Sequence, residues 1–144
     1  MVIEKMGKKI ELYREMIAGH RAQTPVMNYL HMKIIAVDEG QATFEMQTSP
    51  EMINSIGLVQ GGILSTVADA AMGLAAGSLL DENQFVTTIE LKMNFLRPVK
   101  LGKITAIGKV THPGHHIIFT ECQIFTDSQK LAVTGSSTLM IIQS

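Results

Sequence analysis

Residues 61–80 read GGILSTVADAAMGLAAGSLL. From Ile63 to Leu80, the residues Leu64, Val67, Ala68, Ala71, Leu74, Ala75 and Leu79 recur at three- and four-residue spacing, which is helical. Ser65, Ala70, Gly73, Ala76, Gly77 and Ser78 fill most other positions with small side chains. A helix that is apolar or small nearly all round is a buried helix. This one carries a single acid, Asp69, near its middle. Aspartate is a weak helix former, and a buried carboxylate without a partner costs several kcal/mol. Its neighbours one turn away are Ser65, Thr66, Met72 and Gly73, none of them cationic. An acid kept in such a place is a candidate general base or nucleophile. The bland alternative is an Asp facing solvent on the rear of the helix.

The helix is preceded by Gly61-Gly62. Two glycines permit close backbone approach, and the first N–H groups of a helix point outward toward negative charge. That is oxyanion-hole geometry. Gly61 and Asp69 are separated by about 12 Å along the axis at 1.5 Å per residue. They cannot serve one carbonyl within one chain, so a second copy is expected to supply the missing half.

Working outward, Glu4 to Ala18 has helical spacing, with Gly19 as its stop, and Thr24-Pro25 breaks the pattern. Residues 1–28 therefore form an N-terminal helical extension. His31 to Val37 and Ala42 to Thr48 read as strands around a Gly40-Gln41 turn. Ser49 to Gly57 is loop by composition. Phe85 to Phe95, Lys103 to Thr111, Ile117 to Thr126 and Lys130 to Ile142 read as further strands. Strands in hairpin order around one long helix predict an α+β domain spanning residues 1–144, with an antiparallel sheet of five or six strands wrapped on the central helix.

Composition narrows the function. The chain has 144 residues, 46% hydrophobic and 17% charged, with net charge −1, so nothing points to nucleic acid or an anionic membrane. The single cysteine, Cys122, excludes an internal disulfide and any multi-cysteine metal site. His112, His115 and His116 cluster beside Pro113-Gly114 without a carboxylate at ligand spacing, so no metal is expected. Neither a Gly-x-Ser-x-Gly elbow nor a phosphate-binding loop is present. A cytoplasmic location is expected, since no signal-type segment is visible.

Asn54, Gly57, Gln60-Gly61-Gly62, Asp69 and Gly73, followed by Asn94-Phe95-Leu96-Arg97-Pro98 and Gly102, resemble the hotdog-fold acyl-CoA thioesterases, in particular the PaaI-like branch of phenylacetate-pathway enzymes. The resemblance covers residues 46–138. It implies a hotdog fold and thioester hydrolysis at sites between subunits of a homodimer or homotetramer. It implies that Gly61 N–H holds the thioester carbonyl oxygen, that Asp69 of the partner acts as base or nucleophile, and that Asn54 helps position water or carbonyl. Thr88, with Thr87 next, is the match for a hydroxyl on the strand after the helix. Gly62 adjoins the oxyanion donor. Arg97 and the turn containing Gly114, His115 and His116 fall where relatives contact coenzyme A, which is part of the substrate; no separate cofactor is implied. The family's His before Gly-Gly is Gln60 here, which can hydrogen-bond but cannot carry charge. A non-catalytic acyl-CoA-binding domain on the same fold is the alternative. A hotdog dehydratase needs a His near the helix start, and none stands between Met32 and Lys109.

Overall fold

The computed structural model describes residues 7–144. Its elements run α1 (Lys9–Ile17), α2 (Pro25–Tyr29), β1 (Met32–Asp38), β2 (Gln41–Gln47), α3 (Gly61–Gly77), β3 (Gln84–Phe95), β4 (Lys103–Pro113), β5 (Ile117–Phe125) and β6 (Leu131–Gln143), with a 3₁₀ turn at Pro50–Met52. The predicted strands are all present. The start expected for the first helix, at Glu4, lies outside the described residues. The helical pattern is interrupted as expected, with α1 ending at Ile17, and a second short helix follows the break at Thr24-Pro25. Proline suits the first position of a helix, where no N–H is needed, and Pro25 opens α2 there.

The six strands form one antiparallel sheet in the order β1-β2-β4-β5-β6-β3. The sheet curls round α3, which packs on β2, β4, β5 and β3. Alternation places one face of each inner strand against the helix: Ala42, Phe44 and Met46 from β2, Ile104 and Ala106 from β4, and Ile118, Cys122 and Ile124 from β5 are buried. Phe44, Met46, Ile104, Ala106, Cys122 and Ile124 cluster with Val67, Ala68, Ala71 and Met72 of α3, while Ala42 packs with Ala75 and Ile118 with Ala76. Each large side chain removed from water this way contributes about 1.5–3 kcal/mol. At Gly108 of β4 the helix comes so close that a Cβ would collide with the Ala71 carbonyl. Only glycine fits this crossing.

α3 begins two residues earlier than predicted, at Gly61. Ser65 and Thr66 return their hydroxyls to the Gly61 and Gly62 carbonyls at 2.9 and 3.0 Å, which costs the helix no exposed polar group. Ser78 closes its other end, donating to Ala75 O at 2.6 Å and accepting from Gly40 N–H at 2.7 Å. That second bond ties the β1–β2 turn to the helix end.

The two sheet margins differ. Beyond β1 lie α1 and α2, and the Gln23 side chain stands against the strand. It donates from Nε2 to Met32 O at 3.0 Å and accepts from Ile34 N–H at 3.1 Å. β3, at the opposite margin, pairs with β6 alone and is exposed along most of its 12 residues, including Phe85, Ile89, Leu91 and Phe95. Among the described residues no helix is long and apolar enough to cross a membrane.

Candidate active site

The sheet covers one side of α3, and the other side looks outward along Gly62, Thr66, Asp69 and Gly73, which follow one another at four-, three- and four-residue steps. Asp69 is therefore only half-buried. The reading of a buried carboxylate is corrected to a half-buried one, and its partner comes from outside the helix. β3 runs beside this flank, and Thr88 Oγ1 donates to Asp69 Oδ1 at 2.7 Å. A bond that short to a charged acceptor is among the stronger hydrogen bonds. It fixes the carboxylate's rotamer and leaves Oδ2 for other work. The ladder between β3 and β6 shifts register between Thr88 and Glu90. A bulge at that point re-aims side chains locally. Thr87, its neighbour, is exposed and lies opposite Met140 of β6.

The glycine turn is built from the preceding loop. Asn54 Oδ1 accepts from both Ile56 N–H and Leu58 N–H at 3.1 Å, and Asn54 N–H donates to Leu58 O at 2.7 Å. Gly57 sits at φ +81, which this tight loop requires. The oxygen of the Asn54 amide is thus engaged in shaping residues 54–58. Gln60 N–H donates to Met52 O at 2.8 Å, and Val59 N–H to Val99 O at 2.8 Å. Ile63 and Leu64 N–H converge on Gln60 O at 3.0 and 3.3 Å. Gly61 and Gly62 N–H meet no acceptor among the described residues. The Gln60 side chain is exposed and makes no capping bond. The Phe95 ring lies over Gly61, where a Cβ would come within 3.2 Å of it.

Arg97 follows β3, with its Nε donating to Leu131 O at 3.1 Å. It borders a recess of about 440 Å³ that also holds Lys100, Lys103, Lys130 and Asp127. Lys103 pairs with Glu45 at 3.4 Å. Sequence reasoning named Arg97 and missed the lysines. Lys100 and Lys103 were legible as a basic run around Leu101-Gly102, whereas Lys130 arrives from the β5–β6 turn. Gly114, His115 and His116 form the β4–β5 turn, where a Cβ on Gly114 would collide with Ile117 O. Along β6, Arg97's end of β3 is at the level of Val133, and the β4–β5 turn is at the level of Met140. At about 3.3 Å per residue they lie roughly 20 Å apart in one chain. Asp69 and Thr88 are therefore joined directly. Gly61, Gly62, Asn54, Gln60 and Arg97 gather at the N-terminal end of α3; the histidine turn stands apart from that group, and lies across β6 at the level of Thr87 and Thr88, which pair with Met140 and Leu139.

Residues 56–133 match the model of the thioesterase superfamily. This chain is a member of the thioesterase superfamily. It is 31% identical over 119 residues to an esterase-named protein of Saccharolobus solfataricus, covering 83% of this chain and 84% of that one. It is 22% identical to the 1,4-dihydroxy-2-naphthoyl-CoA hydrolase of Listeria monocytogenes, covering 76% of this chain and 89% of the other. The structure of the E. coli PaaI protein of the phenylacetic acid degradation operon superposes with a TM-score of 0.81 at 25% identity, covering 94% and 95% of the two chains. The superfamily member described here thus has the hotdog fold and the PaaI-like character expected from its sequence.

Proposed function

We propose that the protein hydrolyses acyl-CoA thioesters at sites completed by a second copy of the chain. The observation that carries this reading is the Thr88–Asp69 hydrogen bond of 2.7 Å, which orients a carboxylate on the open flank of a helix whose first N–H groups meet no acceptor among the described residues. Those two features are about 12 Å apart in one chain. They also border the exposed β3 edge, so antiparallel pairing of two β3 strands would bring the Asp69 of one protomer toward the Gly61 of the other. The exposed Phe85, Ile89, Leu91 and Phe95 would be covered in the process.

In this site the thioester carbonyl oxygen accepts from Gly61 N–H. Water adds to the carbonyl carbon while its proton passes to Asp69, and the negative charge on the oxygen is held at the helix N-terminus. Collapse of the tetrahedral intermediate breaks the C–S bond, and the proton goes from Asp69 to the departing sulfur. Attack by Asp69 itself, with hydrolysis of the mixed anhydride, uses the same groups. Thr88 holds the carboxylate, and Asn54 holds the loop that presents Gly61. Arg97, Lys100 and Lys130 supply cations for the phosphates of coenzyme A beside the glycine turn.

The exposed Gln60 side chain, which makes no capping bond among the described residues, favours a second reading, a domain that binds acyl-CoA without turnover. Coenzyme A release measured over a panel of acyl-CoAs separates the two. Turnover supports hydrolysis, and binding with no turnover supports the binding domain.

A further inference from the structure

We infer that the recess between α1, α2 and the C-terminal half of α3 takes the acyl group, and that Tyr13 closes its far end, so that the substrates are thioesters of medium-length, apolar or aryl-terminated acids. This rests on the thioester-hydrolase reading. The recess has a volume of about 440 Å³, within the range of small-molecule sites. Its walls include Met16 and Met27, Leu74 of α3 and Val86 of β3. These are apolar side chains, and the methionines adapt to the shape of what they enclose.

Both walls start at the catalytic pair. On α3, Asp69, Gly73 and Gly77 follow at intervals of four residues and share one face. On β3, Val86 stands two residues from Thr88, on the same side of the strand. A groove therefore leads from the carboxylate down the helix flank. Gly73 forms its floor, and a Cβ there would meet nothing within 4 Å. At Gly77, about 12 Å beyond Asp69, the groove ends. A Cβ on Gly77 would collide with Tyr13 Oη, so the phenol lies directly on the helix backbone. Burial pushes the Tyr13 hydroxyl up to about 12, which keeps it neutral. The one cation among the described residues of the lining, Lys9, is engaged: its ammonium stands 3.5 Å over the Phe85 ring and donates to the Gln84 carbonyl. An anionic acyl terminus would lose its hydration here and would gain an opposite charge only by drawing Lys9 off Phe85 and Gln84.

The test compares kcat/KM for acetyl-, octanoyl-, phenylacetyl- and hexadecanoyl-CoA in the wild type, Gly73→Leu and Tyr13→Ala, with circular dichroism and melting curves to verify folding. The wild type is expected to prefer octanoyl- or phenylacetyl-CoA. Gly73→Leu fills the open floor and should lower the octanoyl-to-acetyl ratio about tenfold or more, since several buried methylenes are lost. Tyr13→Ala should raise the hexadecanoyl-to-octanoyl ratio. Gly73→Ala gives a milder version of the first effect if the leucine does not fold. Variants that change all four substrates in proportion would overturn the inference, as would a Gly73→Leu effect on dimer dissociation with an unaltered profile. If the wild type hydrolyses none of the four, the hydrolase reading fails, and calorimetry with a non-hydrolysable octyl thioether of coenzyme A judges the recess alone. At least tenfold weaker binding by Gly73→Leu supports the assignment, and equal binding sinks it.

Discussion

Thr88 Oγ1 lies 2.7 Å from Asp69 Oδ1, a bond that joins the outermost strand of the sheet to its central helix across 19 residues of sequence. It gives the carboxylate one fixed orientation on a flank otherwise made of small residues. Asp69→Asn keeps the size of the side chain and the bond while removing the base. Thioester hydrolysis is expected to fall at least about a hundredfold, with an unchanged circular dichroism spectrum. Near-native turnover in that variant would exclude Asp69 from the chemistry.

Thr88→Val keeps the branched shape that suits a strand and deletes the donor. One hydrogen bond to a charged group is worth about 1.5–3 kcal/mol, so kcat should drop roughly tenfold or more. KM should change little if the bond serves orientation. Thr88→Ser should restore most of the rate. Equal losses in the Val and Ser variants would point to packing instead.

Ile89 is 56% exposed at the middle of β3. Ile89→Lys places a charge where two β3 strands would meet, which blocks edge pairing. Sedimentation should show a monomer at micromolar concentration, with hydrolysis lost because no second copy completes the site. A stable, active dimer in this variant would rule out assembly through β3.

Gly108→Ala tests the closest contact between helix and sheet. The added methyl meets the Ala71 carbonyl, a backbone atom that cannot rotate away. Overpacking of this kind costs about 1–3 kcal/mol, so the denaturation midpoint should fall while any residual fold keeps the same strand content. An unchanged midpoint would mean that the helix can shift outward at no cost.

Two buried groups set an alkaline limit. Burial pushes the Cys122 thiol from 9.0 up to about 12 and the Tyr13 hydroxyl from 10.0 up to about 12. Above pH 9 the unfolded chain loses these protons before the folded one does. Stability should therefore fall with rising pH, by about 1.4 kcal/mol per unit for each group once its unfolded form ionises. Melting temperatures between pH 8 and 11 check this. Tyr13→Phe should flatten the upper part of the curve, and Cys122 should resist alkylation until the protein unfolds.

Much of this architecture follows from local pattern. The period of two in Ala42 to Met46 and the small, apolar run after Gly61 define a strand and a helix with no tertiary information. Strand order does not reside in such patterns. Phe85 to Phe95 reads like any half-buried strand, and only the ladder with β6 shows that it is the open margin. The same gap explains Asp69. Its helix looks enclosed because its residues are small, but small residues also suit a flank awaiting a neighbour. Thr88 was named from a motif, and its partnership with Asp69 depends on β3 running beside α3. Lys130 was missed because its nearness to Arg97 depends on a turn between two strands. Thr24-Pro25 was read only as a break in the pattern, and the short helix that Pro25 opens was missed because proline starts helices as readily as it ends them.

Gln23 gives the molecule a terminus. A strand with bare amides on one rim will accept another strand, and a sheet with two such rims polymerises. Here one primary amide mimics the missing strand at β1, giving and taking one bond each at Met32 and Ile34. Were two copies to join through β3, the extended sheet would carry a β1 capped by Gln23 at each extremity.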